Sequence, residues 1–212
     1  MKEINHIVLA GDSIFDNRPY VAPDKAVINH LGELADSEFE TTLIAVDGDI
    51  IADMYEQLET LPDDASHLFI SIGGNDALMA AHLLTEEVST VHEAMTVFSS
   101  VVDRFQEQYR KMLQDFIAHV EKVTVCTIYD SVPGIDKESL VALKLFNEVI
   151  LREAFSAGVP LIDLRLLCNE ARDYSTVSPI EPSEHGGNKI ANIIKKVSTT
   201  HDFSMPGTYI YC

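Results

Sequence analysis

Cysteine is scarce in this 212-residue chain: Cys126, Cys168 and Cys212 are too few and too scattered for a disulfide framework. No Cys-x-x-Cys pair points to zinc. Basic residues are scarce too, 15 Lys and Arg against 34 Asp and Glu, for a formal charge of −19. So acidic a chain, with no basic arm or polybasic patch, repels phosphate backbones and anionic lipid, and nucleic acid is not expected as a partner. No apolar run approaches the roughly 20 residues of a membrane span. The opening Met1-Lys2-Glu3-Ile4-Asn5-His6 lacks the long apolar stretch of a secretion signal. A cytoplasmic protein without a membrane span is the expectation. Internal repeats and low-complexity segments are also missing.

What is present is globular. At 46% hydrophobic residues the chain is not a disordered one, and its length fits one domain, 1–212, with a sizeable core. Short apolar runs alternate with longer helical patterns. Strands are expected at Ile4 to Ala10, Thr41 to Val46, His67 to Ile72, Val123 to Ile128 and Pro160 to Leu164. Helical spacing fills the gaps: Pro23 to Leu34, about Ile50 to Leu61, Ala77 to Lys122 with a break near Thr85 to Ser89, Lys137 to Ala157, and Gly187 to Ser198. In the long third pattern, Phe98, Val101, Val102, Phe105, Tyr109, Met112, Phe116 and Val120 read as core. The tail, His201 to Cys212, is left open between packing on a neighbour and mobility.

Five strands joined by crossovers long enough for helices predict a parallel sheet covered on both faces. In such sheets the working residues gather at the carboxyl ends of the strands. Three strand ends carry turns rich in glycine and polar side chains: Gly11-Asp12-Ser13, Asp47-Gly48-Asp49 and Gly73-Gly74-Asn75-Asp76. Each alone reads as an ordinary turn or cap. Together they can face one crevice, with the Ser13 hydroxyl held exposed at its turn. The Ser13 N–H, the Gly48 N–H and the Asn75 amide can then surround a developing oxyanion. None of the three turns has a phosphate-cradling glycine pattern such as GxxxxGK, which argues against a nucleotide binder.

Gly11-Asp12-Ser13-Ile14-Phe15-Asp16-Asn17 resembles the nucleophile block of the SGNH (GDSL) hydrolases, a family of esterases and lipases. Gly48 is similar to the family's second block and Gly73-Gly74-Asn75-Asp76 to its third. The resemblance implies a flavodoxin-like three-layer α/β/α sandwich with a five-stranded parallel sheet. It also implies Ser13 as nucleophile, Ser13, Gly48 and Asn75 as oxyanion hole, a small carboxylic (acyl or acetyl) ester as substrate, and no cofactor or metal. Asp12 is expected to brace the turn.

The last block departs from the family's Asp-x-x-His-Pro. Aligned on Pro182, Gly186 and Ala191, Glu181 stands where the His belongs and Ser178 where the Asp belongs, while a histidine, His185, follows four residues later. Three readings stay open. His185 is the base, in the first turn of a helix capped by Ser183, with Glu181 or Asp173 orienting its other nitrogen. Alternatively Glu181 takes the serine proton, which needs burial to raise its pKa. In the third, the chain keeps the oxyanion pocket as a binding protein without turnover. The other histidines (His6, His30, His67, His82, His92, His119 and His201) share no metal-ligand spacing. The acidic pairs Asp47/Asp49 and Asp63/Asp64 are dispersed turn residues.

Overall fold

The computed structural model describes residues 5–35 and 39–212. Ile4, expected to open the first strand, lies outside them. Strand β1 (Asn5–Gly11) enters the core at once, with every residue after Asn5 buried. Its alternation sorts the interior into two layers, because successive side chains leave a strand on opposite faces. Val8 and Ala10 join Leu68, Ile70, Phe105, Tyr109 and Phe146 on one face, while Ile7 and Leu9 join Val27, Leu31, Phe69, Ile190 and Ile194 on the other.

Helix α1 (Val27–Ala35) follows, then β2 (Phe39–Leu43) and α2 (Met54–Glu59). Next come β3 (His67–Ser71), α3 (Gly74–Ala80), α4 (Val91–Ile117) and β4 (Lys122–Cys126). The chain continues through α5 (Lys137–Ala157), β5 (Leu161–Ile162), the short α6 (Leu164–Leu167), α7 (Glu184–Thr200) and β6 (Ile210–Tyr211). The strands form one parallel sheet in the order β2-β1-β3-β4-β5-β6. The α/β architecture is thus the one expected, with one strand more. The chain leaves β1 to one side for β2 and to the other for β3, so the switch point of the sheet lies between β1 and β3, where open α/β sheets bind ligands.

The sixth strand comes from the tail. Leu161 and Asp163 donate their N–H groups to Tyr209 O and Tyr211 O, both at 2.8 Å. An aromatic group holds the strand down: His201 stacks edge-on to Phe203, Tyr209 and Tyr211, and its Nδ1 meets the Tyr211 hydroxyl at 2.9 Å. The second strand ends earlier than expected, because the N–H groups of Ile44 and Ala45 both donate to Leu9 O and break the ladder. Helix limits and burial also differ from expectation. Ser183 Oγ accepts the Gly186 N–H at 3.1 Å, so α7 starts at Glu184 rather than Gly187. The first 14 residues of α4 bury nothing fully, and its core residues begin at Phe105. Phe98 therefore is not core, as its spacing had implied, but a wall of the cavity described next. None of the described helices is long and apolar enough to cross a membrane.

Candidate active site

β1 ends in a backbone that only glycine accepts. Gly11 has φ +130°, and a Cβ there would stand 1.8 Å from Ser71 O on β3. Gln57 on α2 fixes this strand end: its Oε1 accepts the Gly11 N–H at 2.8 Å and its Nε2 donates to Gly11 O at 2.7 Å. The chain then makes one helical turn, Phe15 and Asp16 N–H both donating to Asp12 O at 3.1 Å. Ser13 sits within this turn, not at the entry of α1, which begins 14 residues later. Asp12 Oδ1 accepts the Ile14 N–H at 3.1 Å from inside the turn, the bracing role expected for it.

The loop after β2 is bound on both sides. Val46 N–H donates to Gly11 O and Asp47 N–H to Asp16 Oδ2, while Asp49 O accepts the Asn75 side-chain amide at 2.9 Å. Gly48, at φ +92°, lies exposed between these ties and does not itself line the cavity. Asn75 stands in the first turn of α3. One of its two amide protons is taken by Asp49 O, which leaves the other for a ligand.

Ser13, Asn75 and Glu181 line one cavity of about 320 Å³, together with Asp12 and a mostly apolar wall. Glu181 arrives from a loop that is held by backbone bonds: Ser175 N–H donates to Glu181 O at 2.8 Å, and Glu181 N–H to Ser178 O at 3.1 Å. Asn17, fully buried, ties that loop to the serine turn, its Nδ2 donating to Pro182 O and its Oδ1 accepting the Val27 N–H. The Glu181 side chain is buried, and its Oε2 has no hydrogen-bond partner among the described residues. Burial raises its pKa to about 7; the Ser13 side chain facing it pulls the other way, and the charge of Asp47 adds to the rise. Burial also raises Asp12 to about 8, against the Ile14 N–H and helped by the charges of Glu181 and Asp76, and it raises Asp76 to about 6. Neighbouring carboxyls so arranged titrate as a set.

His185 lies elsewhere. It does stand in the first turn of α7, but its side chain is 43% exposed and does not line the cavity. Its Nε2 faces Asp173 Oδ1 at 3.6 Å, so Asp173 rather than Glu181 is its acidic neighbour. Asp173 is buried, and its Oδ2 takes the Lys189 ammonium at 2.8 Å and the Glu170 N–H at 2.9 Å. Glu170, Asp173 and His185 bring ligand atoms within metal-binding reach of one another, as do His6, Glu40 and Asp64, a set with no signature in the sequence. In the first set Lys189 already supplies a cation to Asp173. In the second both His6 nitrogens are engaged, by Asp64 and Thr42, each at 2.8 Å.

The model of the GDSL-like lipase/acylhydrolase family matches residues 9–186, most of the chain. The chain belongs to this family. No curated protein matches its sequence. Among solved structures, the family fold recurs in an extracellular lipase from Streptomyces rimosus, with TM-score 0.64, 17% identity, and coverage of 91% of this chain and 99% of that one. It recurs in an acetylxylan esterase from Geobacillus stearothermophilus, with TM-score 0.67, 15% identity, and coverage of 95% and 98%. An α/β hydrolase from the metagenome of Lake Arreo, Spain, gives TM-score 0.70 at 14% identity, covering 92% and 95%. Similarity at this level of identity concerns the family fold.

Proposed function

We propose that this family member hydrolyses a carboxylic ester through an acyl-enzyme on Ser13, with Glu181 as the base. One observation carries the proposal: Ser13 and a buried Glu181 line the same largely apolar cavity. A carboxylate at the ordinary value of about 4.3 is a poor acceptor for a serine proton. One raised to about 7 is poised for general base work near neutral pH. In the first step Ser13 Oγ attacks the ester carbon as its proton passes to Glu181. The carbonyl electron pair moves onto oxygen, where the Ser13 N–H and the free Asn75 amide proton receive it. Collapse expels the alcohol, which takes the proton from Glu181. Water then attacks the acyl-enzyme with Glu181 again as base, releasing the acid and restoring Ser13. Asp12 stays neutral beside this chemistry and holds the turn. His185, paired to Asp173 outside the cavity, has no part in it.

A fluorophosphonate probe and an ester assay test the scheme together. The wild type should be labelled and Ser13→Ala should not. Glu181→Gln should lose about 10²–10⁴-fold in kcat/KM, the usual worth of general base catalysis, while His185→Ala stays within a few-fold. Silence of the wild type toward both probe and esters would leave a binding protein that kept the pocket. Loss of turnover in His185→Ala alone would return the base to the histidine.

A further inference from the structure

The cavity reaches well beyond the reacting groups. From Ser13 it runs between α3 with the turn that follows it, Leu78 and Leu84 on that wall, and the segment leading into α5, Val132 and Leu143 on the other. Its floor is core: Ile72, Tyr129 and Phe146 are each at most 3% exposed. Two residues of the lining, Leu78 and Ile180, are also 51% and 39% exposed, which makes an apolar rim open to solvent. The charged side chains of the lining are Asp12, Asp136 and Glu181, and none among the described residues is basic.

A two-carbon acyl group would leave most of this space empty. A methylene needs about as much room as a water molecule's ~30 Å³ share of the liquid. The volume of about 320 Å³ therefore holds on the order of ten carbons. Apolar walls reward each of them, and the absence of a counter-charge excludes an anionic group at the far end of the chain. We infer that the acyl part of the substrate is an uncharged chain of medium length, about eight to ten carbons, lying between α3 and α5 with its carbonyl at Ser13. This rests on the ester hydrolysis proposed above and takes the acyl side of the small acyl or acetyl ester expected from the sequence.

The test has a catalytic and a non-catalytic arm. On 4-nitrophenyl esters from acetate to palmitate, kcat/KM should rise by up to about fourfold per methylene, the worth of burying one, to a maximum near eight to ten carbons. Ala142→Phe, which fills the wall beside Leu143, should move that maximum to shorter esters. The non-hydrolysing Ser13→Ala variant should bind methyl decanoate and not methyl acetate in calorimetry. A series that is flat or best at acetate, with no methyl decanoate bound, overturns the chain site and leaves the hydrolase intact. Methyl decanoate bound by Ser13→Ala, with no ester turned over by the wild type, supports the chain site and removes the hydrolase.

Discussion

Gln57 makes a two-way pair with Gly11, accepting its N–H at 2.8 Å and donating to its carbonyl at 2.7 Å, while the same Nε2 reaches Asp49 Oδ2 at 2.7 Å. One buried side chain on α2 thereby sets the strand end that carries Ser13 and the loop that carries Gly48. Gln57→Leu keeps the bulk and strands a buried donor. Each such group costs about 1–3 kcal/mol. The unfolding free energy should fall by that much, read as a lower urea midpoint at an unchanged m-value, and kcat should drop more than KM rises.

Asn17 does the equivalent work 165 residues away in sequence, joining the serine turn to Pro182 next to Glu181. Asn17→Ala removes that bond and the one to the Val27 N–H. A loss of about 2 kcal/mol is expected from the two bonds, together with a fall in ester kcat. Asn17→Asp keeps the acceptor for Val27 but sets a buried carboxylate oxygen against Pro182 O, so it should lose kcat and at least as much stability as Asn17→Ala.

The buried carboxyl of Asp12 predicts a pH trend in stability. Its folded pKa, about 8, lies above the unfolded value near 3.8. The native state therefore holds a proton that the unfolded chain releases between those values, and stability falls as pH rises from about 4 to 8. Asp12→Asn removes this dependence while its side-chain oxygen still accepts the Ile14 N–H. The difference in Tm between variant and wild type should grow in favour of the variant from pH 4 to pH 8. An equal difference at both pH values would show that Asp12 is ionised in the fold.

Much of this molecule could be read in advance because the signals are local. Short apolar runs marked five of the strands, and glycine-rich polar turns at strand ends marked Ser13 and Asn75, which line one cavity, and Gly48, which does not. What escaped depends on contacts across the chain. β6 has two residues, and it forms only because β5 offers an edge and His201 a stacking partner. Phe98 has the spacing of a core residue, and only the divergence of α4 from the core turns it into a cavity wall. Gln57 and Asn17 carry no motif, since their partners are 46 and 165 residues distant. The raised pKa of Glu181 depends on its burial, and burial has no signature in Ser-Pro-Ile-Glu-Pro.

The rate of fluorophosphonate labelling at Ser13, measured from pH 5 to 9, tests the role of Glu181 most directly. Ionised Glu181 is the active form, so the wild-type rate should rise with pH through a midpoint near 7 and then level off. His185→Gln should keep that limb and Glu181→Gln should lose it. A limb that survives in Glu181→Gln and disappears in His185→Gln would contradict the account.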